Sequence, residues 1–209
     1  MNTWLNDPAA IMRRSFAMIE AEVDLSILPE AVRPIAARII HACGMPDVID
    51  DLVIDDHLPA AVGKALQDGR PVLCDAEMTR AGLIRRLLPD GVEVVCTLND
   101  PATGRLAKKR GITRSAAAVE RWLDELEGAV CVIGNAPTAL FTLLRLLEEG
   151  APTPAAIIAF PVGFIGAAES KRALIGAAPC PIATLKGRRG GAGMAAAAFN
   201  AVIAGTRTP

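Results

Sequence analysis

The sequence predicts an α/β fold: a doubly wound, mostly parallel five-stranded sheet of flavodoxin-like order, preceded by an N-terminal helical segment. Two observations point to it. From Pro71 onward, short apolar runs alternate with helical stretches, the pattern of parallel strands buried on both faces. Each of those runs gives way to a loop rich in Gly, Asn, Asp or Pro, as expected where strands end and helices begin. The 209 residues suit one compact unit, with 1–68 the helical segment and 69–209 the sheet portion of a single domain.

In chain order, the first helix is expected over about 7–22, where Met12, Phe16, Ile19 and Val23 recur at helical spacing. The second starts with Pro29 near its first turn and runs through Val32, Ile35, Ile39 and Ile40 to Cys43, with Gly44 placed to cap its end. A third covers about 57–67. The strands are expected at 72–75, 93–98, 129–133, 155–160 and 182–185. Helices are expected between and after them at about 77–88, 114–126, 137–149, 167–176 and 193–204. The acidic run Asp47, Asp50, Asp51, Asp55 and Asp56 interleaves with apolar residues and reads as a solvated face, since a magnesium site would need several of those carboxylates to converge.

Composition narrows the function. The 22 Lys and Arg nearly balance the 23 Asp and Glu, and the chain has no Tyr, so neither a basic footprint nor stacking platforms for nucleic acid are present. No stretch reads as a membrane span or a signal sequence. The five cysteines are widely spaced and odd in number, which fits a reducing, cytoplasmic setting and offers no disulfide framework. Cys74, Cys96 and Cys131 fall within expected strands, as small buried hydrophobes do. With only two histidines, no metal site is expected.

In an open parallel sheet, ligands bind beyond the carboxyl ends of the strands. There the sequence places Asp75-Ala76-Glu77-Met78, Gly134-Asn135-Ala136-Pro137-Thr138, Pro161-Val162-Gly163-Phe164-Ile165-Gly166 and Gly187-Arg188-Arg189-Gly190-Gly191. Glycines at such junctions let backbone N–H groups approach an anion, and Lys171, Arg188 and Arg189 add positive charge nearby. None of these loops matches a dinucleotide fingerprint, a Walker loop or a nucleophile elbow. For proton transfer near neutral pH, His57 reads as a helix-start residue beside Asp55 and Asp56. His41, in the last turn of the second helix with Arg38 one turn earlier on the same face, is the candidate acid.

Several long runs strongly resemble the precorrin-8X methylmutases of cobalamin biosynthesis. They are Gly134-Asn135-Ala136-Pro137-Thr138-Ala139-Leu140, the stretch from Pro161 to Lys171, and Gly187-Arg188-Arg189-Gly190-Gly191. Arg14-Ser15-Phe16, His41 and the stretch Gly111 to Ser115 match further family features, so the likeness covers essentially the whole chain in order. The resemblance implies an isomerase that moves a methyl group from C-11 to C-12 of precorrin-8X, giving hydrogenobyrinic acid without an external cofactor. It also implies a flavodoxin-like fold, a homodimer and hand-over of the tetrapyrrole to neighbouring pathway enzymes.

In that frame His41 protonates the tetrapyrrole, and Ser15, Arg38, Arg114 and Ser115 line the substrate site. Arg14, Asn135, Thr138, Gly163, Lys171, Gly190 and Gly191 complete the candidate substrate-binding set. Two positions depart from the family pattern: Ala192 where a serine is frequent and Met12 where a tyrosine is common. The Asp75-Ala76-Glu77-Met78 stretch looks closer to the cobalt-free branch, with a cobalt-precorrin-8 methylmutase as the alternative. A non-catalytic tetrapyrrole carrier and a nucleotide-binding module using the 187–193 loop are the rivals from other classes.

Overall fold

A computed structural model describes residues 4–206. Helix α1 (Pro8–Glu22) starts where the Asp7 carboxylate accepts from the amides of Ala9 and Ala10 and Pro8 fills the first turn. Two short 3-10 turns follow, and α2 (Arg33–Cys43) begins at Arg33, four residues later than the periodicity suggests, because Pro29 opens a 3-10 turn over Glu30–Val32. Gly44 closes α2 in the left-handed region at φ 65°, its amide donating to Ile40 O.

The sheet has six strands: β1 (Leu52–Ile54), β2 (Val72–Cys74), β3 (Val94–Val95), β4 (Val130–Ile133), β5 (Ala156–Ala159) and β6 (Ile182–Leu185). Their order is β1-β6-β5-β4-β2-β3. Strands β2 to β6 are parallel and reproduce the expected flavodoxin-like order; β1 adds an antiparallel edge, Leu52 opposite Leu185 and Ile54 opposite Ala183. That strand corrects the reading of 47–56 as a solvated face alone. Asp47, Asp50 and Asp56 are exposed, while Val48 and Leu52 are buried.

The remaining helices are α3 (Leu58–Gln67), α4 (Glu77–Gly82), α5 (Pro101–Arg110), α6 (Arg114–Glu120), α7 (Pro137–Glu148), α8 (Ala167–Ala177) and α9 (Ala192–Gly205). Helix α5 was not expected. It buries only Thr103 and Ala107, too few apolar positions to show a helical period, although Asp100-Pro101 and Gly111 mark its ends. The expected helices at 77–88 and 114–126 each break into an α-helix and a 3-10 turn.

Alternate residues of the central strands feed two cores. Val72, Val130, Val132 and Ile158 pack toward α2, α3 and α9, whereas Leu73, Cys131, Ile133 and Ile157 pack toward α6, α7 and α8. Strand-end loops converge on one edge of the sheet, and α2 is brought to that edge by its neighbours. The segment after α2 is fastened there by Arg189, whose guanidinium donates to Asp47 Oδ2 at 2.6 Å and to Asp51 Oδ2 at 3.0 Å.

Candidate active site

Helices α1 and α2 pack side by side, and their facing residues form a small polar group near this edge. His41 is half-buried in the last turn of α2. Its Nδ1 lies 2.8 Å from Ser15 Oγ on α1. The Phe16 ring stacks on the imidazole at 5.3 Å between centroids and 13° between planes. Arg38, one turn before His41, places its guanidinium over the same ring at 4.9 Å. Phe16, read in the sequence as a helix-packing residue, thus couples Arg38 to His41 through its π-face. The signal that could have revealed it was its place directly after Ser15, on the α1 face turned to α2.

This arrangement has a definite chemistry. When the Ser15 hydroxyl donates to Nδ1, the neutral imidazole carries its proton on Nε2. When the ring is charged, the same hydroxyl rotates and accepts from Nδ1. Arg38 also borders a cavity of about 460 Å³ between α1, α4 and α9, with Met12, Ile84 and Arg86 on its walls and the small residues Gly193, Ala196 and Ala197 across its floor. That size and mixture of apolar floor and cationic wall suit an organic anion. Arg14 is exposed on the outer side of α1.

A second group forms at the starts of α6 and α7. Thr113 caps α6, accepting from Ala116 N at 3.1 Å, and its hydroxyl donates to Thr138 Oγ1 at 2.8 Å. Arg114 is exposed and donates to Leu98 O at 3.1 Å and Asn99 Oδ1 at 3.2 Å, so it also ties down the loop after β3. Ser115 is half-buried beside it.

The glycine-rich loops differ from the expectation that they cradle carboxylates. At the crossover between β2 and β4, buried Asp75 already accepts from the amides of Gly134, Asn135 and Ala136, each at 2.9 Å, and from the Thr79 hydroxyl at 3.0 Å. The Gly163 amide donates to Arg188 O at 3.2 Å, and the Gly191 amide to Phe160 O at 2.7 Å. A Cβ at Gly190 would stand 2.3 Å from Phe160 O. The Gly163 and Gly191 amides are thus engaged in loop-on-loop packing, and Gly190 allows the close approach of the two loops. Lys171, expected as a mobile charge, is fully buried and donates to the Arg189 carbonyl. Burial pulls its ammonium down to about 8, with Asp51 opposing the shift and Arg189 adding to it.

Elsewhere, Asp55, Asp56 and His57 bring one ligand atom each within 4.8 Å of one another. Two of the three are exposed, and the His57 amide donates to Asp55 Oδ1 at 2.8 Å, so the cluster is the turn that opens α3. All five cysteines are free. Burial pushes the thiols of Cys74 and Cys131 well up, and those of Cys180 and Cys96 to about 12 and about 11, which leaves them poor nucleophiles.

The His41 imidazole thus sits between the Ser15 hydroxyl and the Phe16 ring, beside a flavodoxin-like sheet. Residues 10–204 match the family model described as precorrin-8X methylmutase. The chain belongs to the precorrin-8X methylmutase family. It is 51% identical over 203 residues to the precorrin-8X methylmutase of Pseudomonas aeruginosa, covering 97% of this chain and 98% of that one. The counterpart from Sinorhizobium sp is 50% identical over 200 residues, covering 95% of each. The solved structure of the Thermus thermophilus precorrin-8X methylmutase superposes with a TM-score of 0.84 at 33% identity, covering 95% of this chain and 96% of that one.

Membership makes the chain an isomerase, an intramolecular transferase, of cobalamin biosynthesis. A precorrin-8X methylmutase works on a tetrapyrrole.

Proposed function

We propose that the chain moves a methyl group from C-11 to C-12 of precorrin-8X to give hydrogenobyrinic acid, with His41 as the general acid. The observation that carries this reading is the Ser15–His41 hydrogen bond beside the stacked Phe16 ring. Substrate and product are isomers, so a proton lent to the macrocycle must be returned. An imidazole held by a hydroxyl that can both donate and accept suits both halves of that exchange. Protonation draws electron density from the ring system and eases migration of the methyl group; a placed general acid contributes roughly 10²–10⁴-fold. The rest of the acceleration comes from holding the macrocycle in a migration-ready shape.

In this reading Ser15 and Phe16 orient the imidazole, and Arg38, Arg114, Ser115 and Thr138 receive the polar fringe of the substrate, with Arg14 at its outer margin. The cobalt-free substrate is favoured by the two half-identical relatives, both named for precorrin-8X. A homodimer and a cytoplasmic setting complete the reading; the five free thiols fit the latter, and among the described residues no helix is long and apolar enough to cross a membrane.

Adding precorrin-8X to the purified chain and following the absorption spectrum tests the assignment. Conversion to hydrogenobyrinic acid is expected. Binding of hydrogenobyrinic acid with no conversion of precorrin-8X would instead make the chain a tetrapyrrole carrier. His41→Ala is expected to lower turnover by roughly 10²–10⁴-fold while retaining product binding, and wild-type rates in that variant would remove His41 from the mechanism.

A further inference from the structure

The loops after β5 and β6 carry a side-chain pair that the site around His41 does not use. At the tip of the first, Phe164 and Ile165 are 83% and 91% exposed. Large apolar side chains held this far into water mark contact surfaces. The Arg188 guanidinium, from the second loop, lies over the Phe164 ring at 5.5 Å. The Gly163 amide, bonded to Arg188 O at 3.2 Å, holds the two loops in this register.

The neighbouring arginines of that second loop have opposite fates. Arg189 is neutralised by Asp47 and Asp51. Arg188 has no carboxylate within ion-pair distance among the described residues, and only the aromatic face accompanies it. A guanidinium aimed by a ring, with its fork of N–H groups uncommitted, is a receptor for a carboxylate carried on an apolar body.

We propose that Arg188 and Phe164 form a clamp for the macrocycle, an assignment that rests on the reading above. Arg188 takes one peripheral carboxylate of the substrate, while Phe164 and Ile165 cover adjoining apolar ring surface. Phe164 also positions Arg188 through the cation–π contact. The chemistry on offer, one cation flanked by two apolar side chains, matches an acid-fringed ring better than it matches another copy of the chain, which has no need of an uncommitted charge at the centre of its contact.

Titrating the full chain with hydrogenobyrinic acid by absorbance, alongside precorrin-8X turnover, tests the clamp. Arg188→Ala is expected to raise the Kd about tenfold, the cost of one charge-assisted carboxylate contact, with KM rising and kcat kept. Phe164→Ser is expected to weaken binding as well, and Phe164→Tyr, which keeps the aromatic face, to restore it. Both side chains are exposed, so thermal stability should not move. Wild-type turnover together with an unchanged Kd in Arg188→Ala would overturn the clamp alone. An altered molecular mass of Phe164→Ser in analytical ultracentrifugation, with affinity unchanged, would overturn it in favour of a second copy seated on the tip. A wild-type chain that neither binds hydrogenobyrinic acid nor converts precorrin-8X would overturn the clamp and the underlying function together.

Discussion

The hydroxyl of Ser15 and Nδ1 of His41 are 2.8 Å apart across the contact between α1 and α2, so a residue 26 positions away anchors the imidazole. The helix cap at Gly44 sets where α2 ends, and the packing of α1 sets what meets His41 there.

Ser15→Ala removes that hydrogen bond and leaves the imidazole without its side-chain anchor. A net hydrogen bond of about 0.5–1.5 kcal/mol corresponds to roughly a 2–10-fold fall in kcat, with little change in KM. Steady-state kinetics on precorrin-8X checks this. A rise in KM with kcat untouched would place Ser15 in substrate binding alone.

Arg114→Ala is expected to raise the Kd for hydrogenobyrinic acid. Its guanidinium also donates to Leu98 O and Asn99 Oδ1, so the variant loosens the loop after β3. Absorbance titration separates the two effects when paired with Asn99→Ala, which removes one of the loop contacts and leaves the arginine. Equal affinity in Arg114→Ala and wild type would confine Arg114 to holding the loop.

Lys171 gives a pH signature of defined sign. Its ammonium is pulled from the ordinary 10.5 to about 8 in the folded chain. Between these two pH values the unfolded chain holds a proton that the folded chain lacks, so this residue adds stability as pH rises through the window and adds least at neutral pH. Wild type should therefore gain Tm relative to Lys171→Met between pH 8 and 10 in calorimetry. A constant difference across that range would show that the buried ammonium is not titrating there.

Gly190→Ala should destabilise the fold without touching His41. The added Cβ would meet Phe160 O at 2.3 Å and Pro161 O at 2.8 Å, both backbone atoms with little room to yield. Overpacking of this kind costs about 1–3 kcal/mol, or roughly 2–12 °C in Tm for a chain of this size. Gly193→Ala, where nothing lies within 4 Å of the added carbon, is the matched control and should melt close to wild type.

The doubly wound class was legible because apolar runs at strand length and helical stripes are local periodicities, and β4 and β5 obey them residue by residue. The histidine shortage likewise made His41 stand out. Helix α5 was missed because its burial rests on Thr103 and Ala107 rather than on an apolar stripe. Strand β1 was missed because three residues between aspartates carry too short a pattern to be told from a loop. Asn200 illustrates a further limit: it lies inside the helix expected at about 193–204, yet its side chain accepts from Ile84 N and donates to Gly82 O, closing the end of α4.

Local pattern in the chain was enough to establish the five parallel strands, most of the helices and the order of loops along the carboxyl edge, since these depend on neighbours within a turn or two. Which polar groups remain available to a ligand was settled only by folding. Asp75 consumes the amides of the loop after β4, Lys171 is drawn under Arg189, and Asp47 and Asp51 neutralise Arg189 from 142 and 138 residues away while Arg188 keeps its charge. A charge or an N–H group is satisfied by whichever partner lies within about 3 Å in space, and sequence spacing carries no record of that distance.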